Sequence, residues 1–305
     1  MNNMDVANIK KIVILGHSGF VGGHVWRAFE RQFPGVERIG MSFPELDLTA
    51  PESVSTLAGL FDSHTAVVLC SAVKRQFGDT LDAYQKNVAM CLNVARAIEL
   101  APVARLIFFS SSAVYGEDIH NRNITETTPV CVRSYYGLAK HTGELIFERV
   151  FSRLPGAFVA VRPPLIYGPG DQGHTYGPAG FLACVLQGQV ITLWGDGEEL
   201  REFLFVDDVC ALLGRLLKGD HRGVVNLSSG QSRTFRDVME ILRELAPGRV
   251  RVDSRPRSKD KVDNAFDGSR LQQWVGGYSF MPLEQGLRRM HEIEASAPRP
   301  QEVRS

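Results

Sequence analysis

The chain has 305 residues, of which 34 are basic, 34 acidic and 44% apolar. Balanced charge leaves no electrostatic footprint for nucleic acid or for an anionic membrane surface, so any anionic ligand has to be held locally. The length and the apolar share suit one large α/β unit or a main domain with a smaller appendage.

Five cysteines (Cys70, Cys91, Cys131, Cys184 and Cys210) form an odd set without CxxC spacing, and three lie inside apolar runs. They read as reduced thiols of a cytoplasmic protein. Residues 1–11 hold no apolar stretch of signal-peptide length, and no segment reaches the roughly 18 apolar residues that a membrane helix needs.

The first strong element is Ile12-Val13-Ile14-Leu15, a run of β-formers that leads into Gly16-His17-Ser18-Gly19-Phe20-Val21-Gly22. It predicts a buried parallel strand, and Val21, Val25 and Ala28/Phe29 then recur at helical spacing. A glycine turn opening a helix offers free N–H groups and a positive dipole end to a pyrophosphate. The spacing is GxxGxxG rather than the commoner GxGxxG, and tight packing alone is the competing explanation.

Val36 to Met41 predicts the second strand. Where an NAD enzyme often carries an acid for the adenosine ribose, this chain has Met41-Ser42-Phe43. The missing acid suits NADP and the missing cation suits NAD, so the choice stays open, with NAD preferred.

Asp47-Leu48 precedes a helix over 51–60, and Ala66 to Cys70 predicts a third strand ending in small residues, Ser71-Ala72, that leave room for a ligand. Lys74 follows. Asn87 begins a run with Val88, Cys91/Leu92, Ala95 and Ile98 on one face, a core-packed helix. Leu106 to Phe109 is the fourth strand and delivers Ser110 and Ser111 at its carboxyl end.

A helix over 135–151 puts Tyr136 and Lys140 on one face, where the ammonium is expected to lower the phenol's pKa. Ala157 to Val161 adds a strand before Arg162-Pro163-Pro164. Strand–helix alternation predicts parallel βαβ units. Beyond residue 165 the pattern loosens into glycine-rich turns, a strand at Phe203 to Val206, a helix started by Thr234 and a closing amphipathic helix through Leu283, Leu287, Met290 and Ile293.

The expected architecture is a Rossmann-type doubly wound parallel sheet over residues 1–165. A smaller C-terminal α/β substrate domain follows over 166–295, with segments able to return to the first, and 296–305 form a frayed tail.

Taken in order, these motifs resemble the extended short-chain dehydrogenase/reductases, and within them the NAD-dependent epimerase/dehydratase family that acts on sugar nucleotides. The matching pieces are the glycine turn at Gly16 to Gly22, Asp47-Leu48, Asn87, Ser-Ser-x-x-Val-Tyr-Gly at 110–116 and Tyr-x-x-x-Lys at 136–140. Arg162-Pro163, Tyr167-Gly168-Pro169, Gly195-Asp196-Gly197, Arg201-Glu202-Phe203 and Val206-Asp207-Asp208 complete the series.

The resemblance implies a nicotinamide cofactor over the sheet's carboxyl edge and a nucleotide-sugar cleft roofed by the C-terminal part. It assigns catalysis to Ser111, Tyr136 and Lys140. Cofactor contacts fall on Gly16, Ser18, Gly19, Phe20, Val21, Gly22, Asp47, Leu48, Ser71, Ala72, Lys74, Asn87 and Pro163, with Tyr136 and Lys140 shared. Substrate contacts are expected at Ser112, His174, Arg201 and Arg255, although His174 and Arg201 also read as a surface-loop histidine and an exposed ion-pair partner. By analogy the protein is a homodimer paired through the helix of Tyr136 and Lys140.

Three departures narrow the reaction. Dehydratases of the family carry Asp-Glu after the catalytic Thr, where this chain has Ser112-Ala113, and elimination of water needs that second acid and base. Enzymes like GDP-fucose synthase carry a cysteine at the position of Ser112. Leu165 stands where many epimerases have an Asn on the substrate diphosphate. What remains is proton and hydride transfer at one carbon, by an epimerase or a ketoreductase. A non-catalytic dinucleotide sensor or scaffold is the reading of another class. Neither histidines nor cysteines show zinc-site spacing, and no metal is expected.

Overall fold

The run Ile12 to Leu15 is wholly buried, as an apolar strand covered on both faces must be. A computed structural model describes residues 9–75, 78–171, 176–257 and 260–296. The first half alternates β1 (Lys11–Leu15), α1 (Phe20–Gln32), β2 (Glu37–Met41), α2 (Ser53–Leu60), β3 (Thr65–Leu69), α3 (Leu81–Leu100) and β4 (Arg105–Phe109). A 3₁₀ turn over Ser112–Tyr115, β5 (Asn121–Ile124), α4 (Tyr135–Phe151) and β6 (Ala157–Arg162) follow.

The second half holds β7 (Leu165–Tyr167), α5 (Pro178–Gln187), β8 (Val190–Trp194), β9 (Leu200–Arg201), β10 (Phe203–Phe205), α6 (Val206–Lys218) and β11 (Gly223–Asn226). It closes with β12 (Arg233–Thr234), α7 (Phe235–Leu245), β13 (Arg251–Arg255), β14 (Asn264–Phe266), α8 (Ser269–Val275) and α9 (Leu283–Ser296).

Six parallel strands form the main sheet in the order β11-β6-β4-β3-β1-β2. One apolar layer joins α1, α6 and α8 to one face of the sheet, and the other packs α2, α3 and α4 on the opposite face. This is the doubly wound arrangement. A third core sits under α5, α7 and α9 with the short pairs β7–β10 and β8–β13. Segments beyond residue 165 return to the first layer: Leu204, Val209, Leu213, Leu217, Val225, Leu227 and Leu271 all enter it.

Local signals account for most boundaries. Thr80 caps α3 by accepting the Ala83 N–H, and Ser134 caps α4 by accepting that of Gly137. Thr234 and Asp237 close a reciprocal capping box at the start of α7. Asn87 does not start its helix: it lies within α3, whose first turns carry exposed polar side chains. Among the described residues no helix is long and apolar enough to cross a membrane.

Candidate active site

β1 lies between β2 and β3, so consecutive crossovers leave it in opposite directions and a crevice opens at its carboxyl end. The chain turns there through Gly16 to Gly19 into α1. A Cβ on Gly22 would stand 2.0 Å from the Gly16 carbonyl oxygen, so only glycine lets the first turn close on the strand. Gly19 begins the helix with no side-chain cap, and the first turn, which contains Phe20 and Val21, has no acid. Its N–H groups and dipole are left to an anion, which fits a dinucleotide pyrophosphate.

Ser71 continues β3 and donates its N–H to the Leu15 carbonyl at 3.0 Å, with Ala72 next to it. Lys74 is exposed and its ammonium lies 6.0 Å from the Phe20 ring centroid, at the mouth of the crevice. Asn87 is buried and gives both ends of its amide to Val73, at 2.8 Å and 3.0 Å, so it fixes the loop of Ser71 to Lys74 rather than presenting a free group. The Asp47 carboxylate closes a turn on the Thr49 hydroxyl and N–H, which holds it below the usual range. Leu48 is buried, and its carbonyl accepts from Asn93.

Ser111, Tyr136 and Lys140 come together beyond β4. Ser111 starts the 3₁₀ turn by accepting the Ala113 N–H at 3.1 Å. α4 packs onto that turn because Gly137 has no Cβ, which would lie 2.8 Å from the Ala113 carbonyl oxygen. The approach brings the Tyr136 hydroxyl into a hydrogen bond with Ser111. Lys140 is 4% exposed; its ammonium donates to the Phe109 carbonyl at 2.6 Å and lies 5.6 Å from the Tyr136 ring centroid.

The expectation for the phenol is corrected here. Burial pushes Tyr136 up to about 12 against the lowering bond from Ser111. Burial also brings Lys140 down to about 8, with Cys91, Cys70 and Glu144 partly opposing. An ammonium committed to a carbonyl does little for its neighbour, whereas loss of water disfavours both charged forms. Further positive charge has to arrive with the ligand.

A buried polar network that no local motif announces holds this corner. Arg162 donates to both Glu144 oxygens, at 2.8 Å and 2.6 Å, and to the Tyr115 hydroxyl at 2.8 Å. Ser110 also donates to Glu144, His141 lies 3.2 Å from it, and Tyr115 donates to Asn226 at 2.8 Å. Burial alone would raise Glu144, but the Arg162 bonds and charge bring it below the usual range. The network ties β4, α4, β6 and β11 together under Ser111.

On the far side Ser112, Leu165, Arg201, Glu202 and Asn264 line a cavity next to the 3₁₀ turn. The Ser112 N–H is fixed by the Pro163 carbonyl at 3.0 Å, so Pro163 reaches this corner through its backbone. Arg201 is half-buried and donates to the carbonyls of Leu200 and Val262. It shares a second opening with Trp194, Arg257 and Asp260.

Arg255 is not brought there: it is exposed at the end of β13 and paired with Asp253. Arg257 takes the place instead, bound to Glu199 and Asp196 across Gly195, where a side chain would meet its guanidinium. Pro256 ends the strand between the two arginines, and that proline was the available signal. His174 lies outside the described residues.

Glu202 adds a group that the motif reading passed over. It is 1% exposed; one carboxyl oxygen accepts the Ser229 N–H and the other has no hydrogen-bond partner among the described residues. Burial raises it to about 7 against the bonds from Ser229 and Gly230.

The model of the NAD dependent epimerase/dehydratase family matches residues 12–228. The chain is 25% identical to UDP-glucuronic acid decarboxylase 4 of Arabidopsis thaliana over 92% of its length and 67% of that relative. It is 24% identical to GDP-L-fucose synthase of Escherichia coli (strain K12), over 91% of this chain and 94% of that one. The crystal structure of a UDP-glucose 4-epimerase from Thermus thermophilus in complex with NAD superposes with a TM-score of 0.82 at 23% identity, covering 94% of this chain and 100% of the other.

Proposed function

Because the chain belongs to the NAD dependent epimerase/dehydratase family, we propose that it is a nucleotide-sugar epimerase acting by transient oxidation of a sugar hydroxyl, with C4 of a hexose as the site. The observation that carries this reading is the meeting of Ser111, Tyr136 and Lys140 at the carboxyl end of β4, beside a crevice whose helix start is free for a pyrophosphate. NAD, when bound there, supplies a hydride acceptor and a positive ring.

Gly16, Gly19, Gly22 and the N–H groups of α1 hold the diphosphate, and Lys140 reaches the ribose hydroxyls next to the reacting ring. Tyr136 takes the proton from the sugar hydroxyl and returns it, while Ser111 hydrogen-bonds the same oxygen in its alcohol and ketone states. Arg201 and Arg257 are the cations available to a nucleotide's diphosphate in an opening that also carries Glu117, Asp118, Glu199 and Asp260, and Trp194 offers a half-exposed ring for its base. Ser112 and Ala113 supply no second acid or base, which argues for epimerisation over dehydration.

The second reading is a 4-keto-sugar reductase. The long match to GDP-L-fucose synthase and the lack of a carboxylate at the end of β2 favour it. Incubating the protein with UDP-, GDP-, dTDP- and CDP-hexoses and their 4-keto forms, with NADH and NADPH, separates the two. An epimerase interconverts hexoses without net cofactor use, and a reductase consumes reduced cofactor. No conversion of any substrate and no cofactor binding reject both and leave a non-enzymatic role.

Exposed Leu138 and Leu145 lie seven residues apart on α4, and Leu92 is exposed on α3, which packs beside it. These apolar side chains support a homodimer through the two helices, and a single 33.8 kDa species in size-exclusion chromatography would contradict it. The described cysteines are free, in keeping with a reducing, cytoplasmic setting.

A further inference from the structure

The carboxyl end of β2 is where a doubly wound enzyme reads the adenosine ribose: a carboxylate there binds both hydroxyls and repels a 2′-phosphate, and a cation does the reverse. This chain ends β2 with neither. Ser42 is 6% exposed, its Oγ accepts the Ser18 N–H at 3.0 Å, and it lies 2.9 Å from His17 Nδ1. The Ser42–His17 pair thus closes the end of β2 without a carboxylate, a lysine or an arginine.

The His17 ring is held in place by packing. A Cβ on Gly40 would lie 2.5 Å from its Cγ, and the Trp26 ring centroid is 5.7 Å away.

The charged groups around this point are engaged or turned outward. Arg38, on β2 itself, donates to the Trp26 carbonyl at 2.7 Å and to Glu30 at 2.8 Å. Asp47 is bound to Thr49. Arg27 and Glu45 stand on the surface. Phe43, directly after Ser42, is 75% exposed, and its ring is free to stack on a flat ligand.

We propose that the ribose end of the cofactor crevice, which among the described residues holds no carboxylate and no arginine or lysine, accepts both NAD(H) and NADP(H), with His17 and Ser18, set in place by Ser42, meeting the 2′-substituent and Phe43 stacking on the adenine. The proposal rests on the cofactor reading of the family and adds to it which residues set the choice. Without a carboxylate nothing repels the 2′-phosphate, and without a free cation nothing rewards it. The two dissociation constants therefore fall within about tenfold of each other, a difference of about 1.4 kcal/mol or less.

The test is direct binding, read from nicotinamide fluorescence on titration with NADH and with NADPH at one pH and salt concentration. Wild-type protein is expected to bind both within about tenfold. Phe43→Arg, at an exposed position that folding tolerates, is expected to tighten NADPH relative to NADH by at least tenfold. Ser42→Asp is expected to weaken NADPH by about a hundredfold while NADH changes little, with the unfolding transition of each variant reporting on its fold.

A wild-type preference above about tenfold for either nucleotide overturns the proposal while leaving the family reading intact. So does a Phe43→Arg variant with an unchanged ratio. Failure to bind either nucleotide overturns the cofactor reading and the proposal together.

Discussion

Glu202 gives the most direct check on the electrostatics of the cleft, through the variant Glu202→Gln. In the folded protein this carboxyl titrates at about 7 because it is buried, one oxygen without a partner, against an ordinary value near 4.5. A raised carboxyl pKa means that the native state holds its proton longer than the unfolded chain does. Stability is then lost as pH rises from about 4.5 through about 7. Complete ionisation of both states costs the fold about 3 kcal/mol, most of which falls between pH 5 and pH 8.

Glutamine keeps the shape and the acceptor for the Ser229 N–H and cannot ionise. Urea unfolding of wild type and variant at pH 5 and pH 8 measures the difference. Relative to wild type, the variant should gain about 2–3 kcal/mol of stability between pH 5 and pH 8. Parallel pH dependences in the two proteins would refute the placement of an ionisable, undersolvated Glu202 in this wall.

Three further outcomes follow from the site. Gly22→Ala puts a methyl 2.0 Å from the Gly16 carbonyl, so the first turn of α1 must move; NADH binding by fluorescence should fall by more than tenfold. Lys140 loses its proton through about pH 8, so NAD affinity should weaken as pH rises through that value, and Lys140→Met should bind weakly with this pH step absent. Arg257→Ala should raise the KM for the nucleotide sugar by about tenfold or more, in line with roughly 1.5–3 kcal/mol for a charged hydrogen bond, while Arg255→Ala leaves it unchanged.

The central strands β1, β3, β4 and β6 could be read from the sequence because both of their faces are buried, which forces runs such as Ala66 to Leu69 and Leu106 to Phe109 to be uniformly apolar. β11 could not, since its four residues Gly223 to Asn226 hold only two central valines and owe their place to pairing with β6. The triad of Ser111, Tyr136 and Lys140 was legible because two of its members share a helix face and the third ends a strand. The pair Arg162–Glu144 was not, since 18 residues separate partners that meet only after α4 packs on the sheet. The sign of the Tyr136 shift was missed for a related reason: sequence spacing displays neighbouring charge and hides the loss of water.

The restriction to proton and hydride transfer has a steric side as well as a chemical one. Ala113 is 2% exposed, its carbonyl lies under Gly137, and its N–H is taken by Ser111. The turn before it is pinned by Ser112 to the Pro163 carbonyl. A longer, charged side chain at position 113 would have to displace this buried packing, and an unpaired charge there costs several kcal/mol. Glycine at 137 is what allows the close approach that assembles the hydroxyl pair, and the residues at 112 and 113 beside that pair are a serine and an alanine, which bring no second acid and base.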